Sequence, residues 1–433
     1  MVTTAYVKVW GQVVGAVAWD EVLGIGRFEY APVAAQRGWD LAPLKMPVRQ
    51  GGKVHSFPAL RPRTDAVGDT FHGLPGLLAD ALPDRFGNRL LDAWLARNGR
   101  PAGTLNPVER LCFVGTRGMG ALEFEPTWKR ESGEAFGVEV AGLVDLAHHL
   151  LSSRAGFSSR LHSEADVAQL VQIGTSAGGA RPKAVVAFNP ETGEIRSGQT
   201  VAPPGFVHHL IKFDGFHDDE IGPSSGYGRV EMAYADMART CGIDMMPCRL
   251  LEENGRAHFM TQRFDREGER RKHHLATWCG LEHFDYNDVL SYSYEQLFNT
   301  LRALRLPYAA ADQVFRRMVF NVVARNCDDH TKNTSFLLKE GGEWELAPAY
   351  DVCFAYREGS PWVSQHALCI QGKRRGISRA DVLAVAKAVG IKRAQGIIEL
   401  IESTVMRWPE FAEEHKVPPA LRDSIRSHLA PLP

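Results

Sequence analysis

The chain has 433 residues, enough for about two to four domains at roughly 100 to 200 residues each, and its composition of 44% hydrophobic and 23% charged residues excludes a disordered or fibrous polymer. Lys plus Arg number 50 and Asp plus Glu 51, a formal net charge of −1, so no global basic field draws the molecule onto nucleic acid or anionic lipid.

Apolar residues alternate through 6–10, 13–19 and 26–30, with a Gly11-Gln12 turn between the first two runs, which predicts a small antiparallel sheet. Residues 74–94 carry a helical period broken at Pro83 and predict a short helix, an interruption and a second helix. Helical spacing recurs over 138–149 and 164–173, and a Gly-rich stretch, Gly174-Thr-Ser-Ala-Gly-Gly-Ala180, follows. Runs at 183–188 and 208–213 read as strands. After residue 229 the pattern changes to long helices at 230–240, 294–304, 311–324 and 379–388. Strands first and helices after imply an α+β fold with a two-lobed core, preceded by an N-terminal α+β module.

Seven scattered cysteines, odd in number and without a CxxC pair, read as reduced buried thiols and not as a disulfide framework or a zinc site. The opening residues lack a basic segment followed by an apolar run, and no stretch approaches the ~18 apolar residues of a membrane span. A cytoplasmic protein without a membrane partner is expected.

Four segments carry chemistry. Glycines at 174, 178 and 179, with Arg181 and Lys183 behind them, suit a loop whose N–H groups converge on an anion, although the stretch matches neither Walker A nor GxGxxG. Lys212 alternates with apolar neighbours on a strand, and Glu231 on the next helix is placed to orient it, as a helical glutamate holds a kinase lysine. Asn326-Cys-Asp-Asp-His-Thr-Lys-Asn333 contains Asp328 and, five residues on, Asn333. That is the spacing of a kinase catalytic loop, in which the carboxylate takes the hydroxyl proton and the amide binds magnesium. Asp351 ends Trp344-Glu-Leu-Ala-Pro-Ala-Tyr-Asp351, where a kinase places a magnesium-chelating aspartate. Gly-rich loop, strand lysine, helical glutamate, D-x-x-x-x-N loop and strand-end Asp stand in the order that phosphoryl transfer from Mg-ATP requires.

With these motifs the chain resembles the HipA-like serine/threonine kinase family, the kinase toxins of bacterial type II toxin–antitoxin modules. Leu74-Pro-Gly-Leu-Leu-Ala-Asp-Ala-Leu-Pro-Asp84 and Gly118-Met-Gly-Ala-Leu-Glu-Phe-Glu-Pro126 resemble its N-terminal subdomain. Ser176-Ala-Gly-Gly-Ala-Arg-Pro-Lys183, Gln262-Arg-Phe-Asp-Arg266, Asp328-Asp-His-Thr-Lys-Asn333 and Leu346-Ala-Pro-Ala-Tyr-Asp-Val352 resemble its kinase core. Arg181-Pro182 stands where many members carry Gln-Glu, so the chain is closer to a stand-alone branch. The resemblance implies a kinase-like, two-lobed α+β fold: an N-terminal subdomain at 1–130, an ATP-binding lobe at 131–265 and a helical lobe at 266–433. It implies Asp328 as catalytic base and Asn333 and Asp351 as Mg2+ ligands. The ATP site would take in Ser176, Ala177, Gly178, Gly179, Ala180, Arg181, Lys183, Lys212, the hinge Gln262, Arg263 and Phe264, and His330, Lys332 and Tyr350. Ser176, with Thr175 second, would be autophosphorylated, and the added charge of about −1.5 to −2 would be repelled from bound triphosphate. Expected partners are a protein substrate such as an aminoacyl-tRNA synthetase or other translation factor, and a HipB-like helix-turn-helix antitoxin through which alone DNA would be reached.

Two other readings compete. One is a nucleotide-binding regulator acting through an antitoxin–DNA complex, with the basic stretch 266–274 touching phosphate or, more simply, forming a solvated hairpin. The other is a small-molecule kinase on the same scaffold. His273 and His274 lack an acidic partner at metal spacing and read as structural or substrate-facing.

Overall fold

The computed structural model describes residues 2–50, 52–62, 69–97, 99–101, 103–127, 137–138, 140, 142, 144, 174, 181–198, 201–215, 217–218, 222–223 and 225–433. The helix expected at 164–173, most of the one at 138–149, and the loop residues Thr175, Ser176, Ala177, Gly178, Gly179 and Ala180 lie outside the described residues.

The chain opens with strands β1 (Thr4–Val9), β2 (Gln12–Asp20), β3 (Ile25–Tyr30), β4 (Val54–His55) and β5 (Glu123–Glu125), in sheet order β4-β3-β2-β1-β5. The first turn sits one residue earlier than the spacing predicts. Val9 pairs with Gln12, and Trp10 (φ 47°) and Gly11 (φ 76°) take the two left-handed positions of a tight hairpin. Trp10 tolerates that conformation because its ring meets Trp39 edge-on at 4.8 Å and its Nε1 donates to the Lys272 carbonyl at 2.8 Å.

The interrupted helix appears as α1 (Gly76–Ala79) and α2 (Arg85–Arg97), and a capping box at Asn106 starts α3 (Pro107–Val114). Helix α2 buries Phe86, Leu90, Leu91 and Leu95 against Ala184, Val186, Phe188 and Ile211 of the next sheet. At ~1.5–3 kcal/mol per buried side chain, that face binds the N-terminal part firmly to the lobe above the cleft.

That lobe is a five-stranded sheet built from β6 (Lys183–Phe188), β7 (Ile195–Ser197), β8 (Val207–Lys212), β9 (Cys248–Glu253) and β10 (Arg256–Gln262), in the order β9-β10-β8-β6-β7. Helix α4 (Tyr227–Thr240) precedes β9. The change to helices expected after residue 229 is therefore one helix long before the chain returns to the sheet. The return hairpin turns at Asn254 (φ 45°) and Gly255 (φ 78°), an Asn-Gly pair with the required left-handed geometry.

The second lobe is mainly helical: α5 (Trp278–Glu282), α6 (Tyr294–Ala303), α7 (Tyr308–Val323), α8 (Arg379–Val389), α9 (Ala394–Met406), α10 (Trp408–Glu414) and α11 (Pro419–Arg426). Capping boxes at Ser293 and Ser378 set the starts of α6 and α8. A three-stranded sheet, β11 (His274–Thr277), β12 (Ser335–Leu338) and β13 (Trp344–Leu346), faces the N-terminal part and carries the loops of the site at its ends. All seven cysteines are free thiols. Among the described residues no helix is long and apolar enough to cross a membrane.

Candidate active site

The site begins on the sheet. Register pairs Lys183 of β6 with Lys212 of β8, so the two side chains leave the same face side by side. The Lys212 ammonium bonds to both the Glu231 and the Asp351 carboxylates. Glu231 reaches it because α4 starts hard against the sheet: a Cβ on Gly228 would lie 1.9 Å from the Ala257 carbonyl oxygen. Burial opposes the charge on Lys212, yet Asp351 and Glu231 hold it above its usual range. Burial likewise opposes ionisation of Asp351, but Lys212 and then Lys183 bring its carboxyl down to about 2. Asp351 occupies a left-handed backbone position (φ 53°), rare for a residue with a side chain.

The lower wall is the loop after α7. Arg325 (φ 53°) turns the chain, and a short 3-10 turn at Thr331–Asn333 is capped by the His330 ring. Asn333 Nδ2 donates to the Asp328 carbonyl at 2.7 Å, which leaves Oδ1 as the amide's acceptor. The Asp328 carboxylate is half exposed and stands 3.7 Å from His330 Nε2. Asn333 and Asp351 line one small cavity of about 30 Å³ with His330 and Tyr350. Lys212 meets Asp351 of this wall directly, and Asp328 joins Asn333 through its backbone carbonyl.

The neighbouring carboxylate, which also lines that cavity, is fully engaged. Asp329 is buried and accepts from Tyr294 Oη (2.8 Å), His366 Nδ1 (3.2 Å), Ala367 N (2.8 Å) and Leu368 N (3.4 Å). Against the burial that lowers it, Asp329 raises the His366 imidazolium to about 10. This clamp anchors the loop from behind, and sequence reasoning does not single it out. The doubled Asp328-Asp329 is the available signal, a second carboxylate beside the D-x-x-x-x-N spacing.

The other expected residues divide. Backbone N–H groups of Gln262 and Arg263 are committed to Pro247 and His208 carbonyls, while the Phe264 ring lies 5.7 Å from that of Tyr350. The Arg263 guanidinium turns inward and forks onto Asp265 at 2.9 and 2.7 Å. Tyr350 Oη donates to the Lys332 carbonyl, and the half-buried Lys332 ammonium sits 5.1 Å over the Tyr286 ring, so both brace the loop. Arg181 stacks its guanidinium over Tyr227 at 4.8 Å.

The stretch 266–274 is not a basic surface. Arg266 is buried, pairs with Asp265 and donates to the Gly118 and Gly120 carbonyls. Lys272 binds the Thr116 carbonyl and Glu123, and His274 is buried against the Leu41 carbonyl at 3.0 Å. Packing against the N-terminal part consumes these charges and leaves only its tip at 267–271 exposed, which removes the main support for direct DNA contact.

Among the described residues no group of three or more His, Cys, Asp or Glu side chains could hold a metal ion. One amide oxygen and one ionised carboxylate, Asn333 and Asp351, instead fit Mg2+, which keeps several waters and shares phosphate oxygens.

Family models match at both ends: the HipA N-terminal domain over residues 5–125 and the HipA-like C-terminal domain over 175–408. A putative kinase, Y4mE, of Sinorhizobium fredii is 27% identical over 187 residues, 39% of this chain and 43% of that protein. The serine/threonine-protein kinase toxin HipA of Shewanella oneidensis is 24% identical over 197 residues, 41% of this chain and 42% of that one. Each alignment therefore spans less than half of the relative's length. A structure of Shewanella oneidensis HipA with HipB and operator DNA superposes with a TM-score of 0.67 at 18% identity, covering 98% of this chain and 94% of that one. With the C-terminal model alone matching more than half of its length, the chain belongs to the HipA-like family.

Proposed function

We propose that the protein is an ATP-dependent serine/threonine protein kinase. The observation that carries this reading is the Lys212 ammonium held between Glu231 and Asp351, together with an Asp328–Asn333 loop joined by its own hydrogen bond. A lysine so paired is pre-positioned for triphosphate oxygens, and its charge does not depend on pH in the physiological range.

In the proposed step a substrate hydroxyl oxygen attacks the γ-phosphorus. The new P–O bond forms as the bond to the β,γ-bridging oxygen breaks, and ADP leaves with that electron pair. Asp328, half exposed, takes the hydroxyl proton. Lys212 offsets the charge spreading onto phosphate oxygens, and Glu231 keeps it in place. Asn333 and Asp351 would hold Mg2+, which when bound supplies further neutralisation of the triphosphate.

The reading extends to autophosphorylation at Ser176 or Thr175 as an inactivating control, to a protein target in translation such as an aminoacyl-tRNA synthetase, and to a HipB-like antitoxin that brings the pair to DNA. The family match and the Shewanella oneidensis complex support the antitoxin. Incubation with Mg-ATP and phosphopeptide mapping tests the reading: phosphate on the peptide holding Thr175 and Ser176, absent in Asp328→Asn, is expected. Phosphate entering metabolites and no protein would favour the small-molecule kinase, and equal labelling of both proteins would overturn the role of Asp328.

A further inference from the structure

We propose that Asp84, contributed by the N-terminal part of the chain, is a positioning residue of the nucleotide site that holds Lys183 in place beside Lys212. The inference rests on the kinase reading and adds to it a carboxylate from outside the two lobes.

The sheet presents two lysines on one face, Lys183 opposite Lys212. Lys212 takes both nearby carboxylates of the core, Glu231 and Asp351. Lys183 is 3% exposed, and Asp84 Oδ2 stands 3.9 Å from its Nζ. Burial pulls the Lys183 ammonium down from its usual range. Asp84 is the first group to oppose that, followed by Asp351 and Glu231, while Lys212 adds to the fall.

The two oxygens of Asp84 have separate tasks. Oδ1 accepts from Gly87 N at 2.8 Å and caps α2. Oδ2 is buried, without a hydrogen-bond partner among the described residues, and is the oxygen nearest Lys183. A helix cap needs only a neutral oxygen, and Ser, Thr or Asn serve as well. The negative charge is therefore surplus to the helix and costly to bury. Burial pushes the Asp84 carboxyl up to about 6, with Lys183, then the Gly87 N–H and then Lys332 acting in the other direction.

The surrounding packing makes Asp84 a rigid post. One turn earlier, Asp80 accepts from Thr277 N and Oγ1, both at 2.7 Å. Helices α1 and α5 touch backbone to backbone, since a Cβ on Gly76 would lie 2.1 Å from the Gly280 carbonyl oxygen. Just beyond Asp84, Leu90 of α2 leaves no room for a Cβ at Gly174, which enters the Gly-rich stretch. The segment 76–90 thus meets the helical lobe and both ends of the stretch 174–183.

The test is Asp84→Asn, which keeps the cap and removes the charge, with Asp84→Ser as a second neutral cap. Mg-ATP affinity, KM for ATP, kcat and thermal unfolding are measured in the full chain, alone and combined with Lys183→Met. The expected result is a roughly tenfold weaker ATP affinity and a matching rise in KM. The change in kcat stays under about threefold, the variants remain folded at the assay temperature, and Asp84→Asn has no further effect once Lys183 is Met. Unchanged ATP affinity, or effects that simply add in the double variant, would overturn the inference. A wild type that binds no Mg-ATP would sink the kinase reading itself.

Discussion

Replacing Asp329 by Asn tests whether the Asp328–Asn333 loop is held from behind. The carboxylate gathers a buried imidazole, a phenol and two backbone N–H groups within 3.4 Å. An Asn amide would lose the charge that holds His366 protonated and would turn an NH2 toward one of these donors. Removing one partner of a buried ion pair costs about 3–5 kcal/mol. At about 2–4 °C per kcal/mol for larger domains, unfolding should fall by roughly 10 °C. The pH dependence carries the sign. His366 is raised from an ordinary value of roughly 6.5 to about 10 in the folded protein. Its contribution is fully present below the unfolded value and is lost as pH rises through the folded one. Wild type should therefore lose stability between about pH 6.5 and 10, and Asp329→Asn should lack that slope. Thermal unfolding from pH 6 to 10.5 reads both quantities. A variant within about 1 kcal/mol of wild type, with the same slope, would refute the clamp.

Three further outcomes follow from the packing. Gly76→Ala should destabilise by ~1–3 kcal/mol or more, because its Cβ would sit 2.1 Å from a backbone oxygen, and denaturant unfolding measures the loss. Asp265→Asn leaves the buried Arg263 and Arg266 guanidinium groups without their shared carboxylate and should cost about 3–5 kcal/mol in the same assay. Glu231→Gln removes one of the two anchors of Lys212 and should raise KM for ATP about tenfold in steady-state kinetics, with folding intact.

Much of the site was legible because its chemistry is local. Asp328 and Asn333 lie five residues apart on one loop, and the structure joins them by a 2.7 Å bond. The strand alternation around Lys212 and the helical period around Glu231 also read directly. What escaped depends on distance along the chain. His366 follows Asp329 by 37 residues, and Asp84 precedes Lys183 by 99, so no local period connects either pair. The hairpin 248–262 had a readable Asn254-Gly255 turn, but adjacent Leu250 and Leu251 obscure its alternation. Helix α9 gives no start signal, since Arg393 precedes it in a left-handed conformation without a side-chain cap. The charges at 266–274 read as surface from composition alone, and only tertiary packing reveals that Arg266 and Lys272 are spent on the Gly118–Gly120 turn, Thr116 and Glu123.

The central claim is that Lys212, Asn333 and Asp351 together receive a metal-bound triphosphate. Titration of ATP with and without Mg2+ into wild type, Lys212→Met and Asp351→Asn tests it most directly. Wild type should bind more tightly with Mg2+, Lys212→Met weakly in either condition, and Asp351→Asn with the magnesium dependence erased. Wild-type binding indifferent to Mg2+, or untouched by loss of Lys212, would contradict it.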